Sequence, residues 1–203
     1  MLPPLLPTLL RPGQGPSVPF IDGHLHLGLT LEVQDGSREI TEDELLAWDE
    51  DFIDLAEHAI MRLRGLIRSN ELKPLDTLPG VWQVRTQDGL AASRMVCLSD
   101  VMRPWPLEGA VVCCPGPDQL LVVPLEGIAC LPALQSLLRR AARARFERDV
   151  LSHQLFWCDD EGAWHHLRVL HTADGVDLDA PPQLIAALER VAAVDLAPVA
   201  AEA

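Results

Sequence analysis

Leu25-His26-Leu27-Gly28-Leu29-Thr30-Leu31-Glu32-Val33 alternates an aliphatic residue with a polar or small one along its whole length. Successive side chains on a strand point to opposite faces. Leu25, Leu27, Leu29, Leu31 and Val33 therefore share one face, and His26, Gly28, Thr30 and Glu32 the other. This is the pattern of a strand in an antiparallel sheet with one packed and one wet face. The alternation runs back through His24 towards Phe20, so the expectation is a single half-buried strand over 20–33, followed by a turn at Asp35-Gly36.

Upstream, Pro3, Pro4, Pro7, Pro12, Pro16 and Pro19 accompany Gly13 and Gly15. Proline fixes φ and lacks an N–H, which excludes a regular helix or a central strand and predicts an extended arm over 1–19. Downstream, Thr41 with Glu44 three residues on forms a capping-box signature, and it opens a helix expected from Glu42 to about Arg68. Leu45, Trp48, Phe52, Leu55, Ala59, Leu63 and Leu66 make its apolar stripe. Glu42, Asp43, Glu44, Asp49, Glu50, Asp51 and Asp54 crowd its start, where the helix dipole favours acids.

Val81–Arg85 reads as a strand and Asp88-Gly89 as a tight turn, while 91–98 fits either a strand or a helix. The apolar runs 109–114 and 119–123, separated by Pro115-Gly116-Pro117-Asp118, read as buried neighbouring strands. A second helix is predicted from Pro132 to about Asp149, with Leu134, Leu137, Leu138 and Ala141 inward. A hairpin follows over 155–158 and 163–167, then a short helix over 182–194 and an Ala-rich frayed tail. The fold class is α+β: a mixed or mainly antiparallel sheet packed against two principal helices. The expected organisation is the arm 1–19, one domain over 20–172, and a short helix with its tail over 173–203.

From Phe20 to about Leu167, the order of several strings resembles the YtpQ-like family, a bacterial domain of unknown function. The strings are Ile40-Thr41-Glu42-Asp43-Glu44-Leu45, Asp88-Gly89-Leu90-Ala91-Ala92-Ser93-Arg94, Glu108-Gly109-Ala110-Val111-Val112 before Pro115-Gly116-Pro117-Asp118, and Leu155-Phe156-Trp157. The chain departs from the family pattern at Gly116 and Pro117, where polar residues are usual. The resemblance implies an α+β fold and no established reaction, cofactor or catalytic residue.

Thirty acidic against 16 basic residues give a formal charge of -14, which repels phosphate backbones and anionic bilayers. Neither nucleic acid nor membrane is an expected partner. The five cysteines form no CxxC pair, no secretory leader pattern is present, and the apolar opening is too short to span a bilayer. Reduced thiols and a cytoplasmic location are the expectation.

Phe20-Ile21-Asp22-Gly23-His24-Leu25-His26 resembles the first metal-binding strand of amidohydrolases, where residues two apart present both imidazoles to one ion. A (β/α)8 barrel needs about 250 residues, which this chain lacks, and the leucine ladder suits a sheet with one wet face. The histidines are therefore read as surface groups, and a metal-dependent hydrolase using Asp22, His24 and His26 stands as an alternative. His165 and His166 point oppositely on a strand and cannot easily share an ion. No glycine-rich phosphate loop occurs.

The function expected from the sequence is a protein-binding or scaffold module without catalytic activity or cofactor, engaging a protein partner or a second copy of itself. Its candidate contact residues are Asp49 and Asp51 in the acid run, Arg139, Arg140 and Arg143 on the second helix, and Trp105 between two prolines. A further alternative is an acidic component of a bacterial conflict or regulatory system that neutralises a basic partner.

Overall fold

A computed structural model describes residues 4–33, 36–86, 88–173 and 175–196. The first sheet contains β1 (Leu5–Leu10), β2 (Ser17–Ile21), β3 (Leu25–Val33) and β4 (Gly36–Glu39), with β3 pairing to all three others. Two helices follow, α1 (Glu42–Trp48) and α2 (Phe52–Leu66). The second sheet has seven strands: β5 (Leu72–Pro74), β6 (Trp82–Val84), β7 (Ala110–Cys113), β8 (Leu120–Pro124), β9 (Leu155–Cys158), β10 (Trp164–Thr172) and β11 (Gly175–Asp179). Their spatial order is β11-β10-β9-β7-β8-β6-β5, and every pairing in both sheets is antiparallel.

A 3-10 helix over Ala92–Cys97 leads into α3 (Leu98–Val101), which settles the open reading of 91–98 as helical. The remaining helices are α4 (Cys130–Ala144) and α5 (Pro182–Leu196). The architecture is α+β, as the sequence predicts.

The large sheet is covered on both faces, which explains the uninterrupted apolar runs of its central strands. Val111, Cys113, Leu121, Val123, Leu155, Trp157, Leu167 and Val169 face a core closed by α4 and α5. Their neighbours Ala110, Val112, Leu120, Val122, Phe156 and Cys158 face a second core, shared with the small sheet, α2 and the 3-10 helix. Alternation persists; both sides happen to be dry. Each fully buried Leu, Val or Phe on these strands stabilises the fold by roughly 1.5–3 kcal/mol relative to exposure.

The proline-rich start behaves differently from the expected arm. Leu5–Leu10 is a strand, all six residues are buried, and it pairs with β3 from Leu5 opposite Leu31 to Leu10 opposite His26. Pro7 and Pro19 are accommodated because β1 and β2 are edge strands, where a missing N–H breaks no ladder on the outer side. Leu5 and Leu9 belong to the core shared by the two sheets, and Leu184, Ala187 and Val191 of α5 belong to the other. The segment expected as an arm thus adds a strand to the small sheet, and the helix expected over 182–194 packs on the large one. Asp35 and the frayed tail over 197–203 lie outside the described residues.

The strand expected over 20–33 is a hairpin. Ile21 ends β2, a turn occupies Asp22-Gly23-His24 with Gly23 at φ 71°, and β3 starts at Leu25. The wet face is also narrower than the alternation implies. Gly28 and Thr30 are buried, and the Thr30 hydroxyl donates to the Leu6 carbonyl at 3.2 Å.

The long helix expected from Glu42 to Arg68 is two helices. The capping box of Thr41 and Glu44 forms as the sequence predicts. Asp49 then turns left-handed at φ 52°, closing α1, and the Asp51 carboxylate accepts from the Ile53 N–H at 2.7 Å to cap α2. Leu55, Ala56, Ala59 and Leu63 of α2 are buried, whereas α1 buries no residue.

Candidate functional site

The turn between β2 and β3 carries His24 to the large sheet. Its N–H donates to the Ile21 carbonyl at 2.9 Å, and its ring stacks on that of His166 in β10, with centroids 3.5 Å apart and planes 25° apart. Phe156 of β9 lies against both rings, at 6.3 Å from His24 and 5.9 Å from His166. Two imidazoles from separate sheets thus meet on one aromatic base.

The hydrogen bonds around His166 fix its tautomer. The Val169 backbone N–H, which can only donate, points at Gln154 Oε1 from 3.1 Å, and His166 Nε2 lies 3.2 Å from the same oxygen. Nε2 must therefore carry the hydrogen, leaving the lone pair on Nδ1. Burial, then the neighbouring His24 and Arg168, push the imidazolium pKa of His166 down to about 4. His153 nearby is also lowered, by burial and then by Arg145 and His171.

This depression has a stability consequence. The unfolded chain binds a proton at His166 near pH 6.5, but the folded chain does so only near 4. The unfolded state therefore holds more protons across that window, and stability rises with pH through it. Conversely, stability falls as pH drops from about 6.5 towards 4, before most native carboxylates titrate. Urea unfolding across this range should show the slope, and His166→Gln should flatten it. An unchanged slope in the variant contradicts the assignment.

The cleft beside the pair has a volume of about 900 Å³. Its cationic walls are Arg11, Arg145 and Arg168, and Ser152, His153 and Gln154 form part of its floor. Glu147 and Asp149 also reach it, but the Glu147 carboxylate is held by Arg140 at 2.7 Å.

The residues singled out for metal binding separate. His24 lies in the turn against His166, and His26 in β3 shares a 3.1 Å hydrogen bond between Nδ1 and the Ser17 hydroxyl. Asp22 is exposed in the turn. The alternating-side argument fails for this pair because His24 precedes the strand. Among the described residues, no group of three or more His, Cys, Asp or Glu side chains is placed to hold a metal ion. His165 and His166 do diverge: His165 Nε2 meets the Asp159 carboxylate at 2.8 Å while its ring stacks on Trp157.

The residues singled out for partner contact divide as well. Arg139, Arg143 and Asp49 are exposed. Arg140 is occupied by Glu147 and Gln119, Asp51 is the cap of α2, and Trp105 is half-buried against the core between the sheets. Sequence reasoning missed the His24–His166 pairing, because contacts between two sheets leave no local spacing signal.

A second cleft, of about 770 Å³, is lined by Glu71, Asp88 and Arg94 among others. Its buried charges satisfy one another, Arg94 pairing with Glu71 at 3.2 Å and with Asp88 at 2.7 Å, while the exposed Arg68, Lys73, Asp76 and Arg85 also line it. Burial opposes ionisation of Asp88, but the Leu90 N–H, the Thr86 side chain and Arg94 outweigh it and hold its carboxyl below the usual range. This is a structural network.

No helix among the described residues is long and apolar enough to cross a membrane. Comparison with protein-family models, with curated proteins and with solved structures finds no match.

Proposed function

We propose that this chain is a protein-binding module that docks a basic partner on the elbow formed by α1 and α2. The observation carrying this reading is that α1 has no fully buried residue: Leu45 and Trp48 rest half-buried on the core between the sheets, and Leu46 is left exposed. Isolated helices shorter than roughly 12 residues are marginal in water, so a seven-residue helix anchored only by the half-buried Leu45 and Trp48 depends on its caps as well. Thr41, Glu44 and the Arg38–Glu44 ion pair hold it in place.

Its apolar side chain Leu46 is 78% exposed, and Ile53 at the start of α2 is 58% exposed. Around them stand Glu42, Asp43, Asp49, Glu50, Asp54 and Glu57, all exposed. Apolar anchors within a carboxylate field complement a basic, partly apolar surface, and electrostatic complementarity raises association rate and selectivity.

Leu46→Asp and Glu50→Lys alter this surface without touching the core. Each should leave the thermal midpoint nearly unchanged, yet weaken binding to a captured and purified basic partner by about tenfold or more, with wild-type binding fading as salt rises. A chain that stays monomeric and captures the same proteins with or without Leu46→Asp contradicts the proposal.

A further inference from the structure

We propose that the cleft between the two sheets, at the stacked His24–His166 pair, is a binding site for a phosphate-class oxyanion. The first argument is charge. In a chain of formal charge -14, Arg11, Arg145 and Arg168 come from three separate segments to line one concavity. None of the three forms an ion pair among the described residues, a condition they share with Arg68, Arg85, Arg139, Arg143 and Arg148; what sets them apart is that they line one cleft together with His24, His153 and His166. With acids in such excess, three exposed guanidinium groups around one cleft make a local cationic concavity that suits an anion.

The second argument is donor chemistry. Gln154 Oε1 is used twice within the protein, so its amide NH2 is the group left to donate. The Ser152 hydroxyl oxygen accepts from the Gln154 N–H at 3.1 Å, and its own hydrogen remains for another acceptor. Guanidinium, amide and hydroxyl donors around one concavity match the several acceptor oxygens of a phosphate, and bidentate arginine contacts favour that geometry.

The third argument is the field at the histidines. After burial, the neighbours that lower His166 are His24 and Arg168, and those that lower His153 are Arg145 and His171; Arg168 and Arg145 are permanent cations. Of the two carboxylates lining the cleft, Glu147 is neutralised by Arg140, and Asp149 is the one a ligand must avoid. An anion in the cleft opposes the Arg168 field and favours protonation of His166, so binding takes up a proton and strengthens as pH falls from about 5 towards 4.

The test is a titration of the full chain with inorganic phosphate against sodium chloride at matched ionic strength, followed through the imidazole nitrogen resonances. The expected result is a saturable shift at His24 and His166 with phosphate alone, and a His166 titration raised by about one pH unit or more. Arg168→Gln and Arg145→Gln, both at exposed positions, should each weaken phosphate binding about tenfold, and Arg139→Gln on the outer face of α4 should not. Glucose 6-phosphate binding tighter than inorganic phosphate assigns the site to a phosphate ester, and the reverse to the free ion; either supports the proposal. Shifts that chloride reproduces, or phosphate binding unaltered in both cleft variants, overturn it. Binding of an oligonucleotide but of neither small phosphate also overturns it. The elbow variants leave this titration unchanged, so the two proposals fail independently.

Discussion

Replacing Arg94 by methionine is expected to cost about 3–5 kcal/mol of stability, the range for breaking a buried ion pair from one side. Arg94 is 1% exposed, and its guanidinium donates from Nε and Nη2 to the two oxygens of Glu71, from Nη2 to Asp88 at 2.7 Å, and from Nη1 to the Leu90 carbonyl. Methionine fills much of the same volume, so packing alone predicts a small effect. What dominates is the Glu71 carboxylate, 7% exposed, left in a low-dielectric site without its cation. Adding Glu71→Gln to Arg94→Met should therefore restore a substantial part of the loss, a coupling of more than about 1 kcal/mol. Urea midpoints of the two single variants and the double variant measure it. Additive losses contradict the pairing.

Gly109→Ala should be comparably damaging, at about 3 kcal/mol or more. Gly109 has φ 74°, and an added Cβ would lie 2.0 Å from the Cys158 carbonyl oxygen and 2.8 Å from the Asp159 carbonyl carbon. Those are backbone atoms at the end of β9, whose Cys158 pairs with Ala110 beside the glycine. Neither can move without opening the centre of the large sheet. Gly89→Ala supplies the control, because Gly89 has φ 71° but nothing lies within 4 Å of its added Cβ. It should cost only the left-handed backbone penalty of about 1–2 kcal/mol. Thermal melts of both variants separate clash from backbone preference, and similar losses refute the steric account.

Much of the fold could be read from local patterns because local physics sets them. The Thr41–Glu44 box, the runs forming β7 and β8, and the aromatic strand β9 each announce themselves within a few residues. The misreadings have equally specific causes. Asp49-Glu50-Asp51 looked like a dipole-compensating acid run inside one helix, yet it contains a left-handed stop and an N-cap, and both roles use residues chemically alike. Pro4 and Pro7 argued against a helix or a central strand and so suggested an extended arm; β1 is an edge strand, and edge status is decided by partners far along the chain.

The turn at Asp22-Gly23-His24 hid inside an alternation that continues across it. That error displaced the histidine argument from a pair in sequence, His24 with His26, to a pair in space, His24 with His166. Sites assembled across two sheets are invisible to spacing rules.

All five cysteines are buried thiols outside any disulfide. Burial raises the thiols of Cys97, Cys113 and Cys158 to about 12, and Cys114 well above its ordinary value. Since the thiolate is the attacking species, at neutral pH only about one in 10⁵ of a thiol titrating near 12 is poised to react. Thiol-directed reagents thus meet almost no thiolate. Modification of these thiols is therefore timed by how often the sheets part, a property of breathing rather than of sulfur.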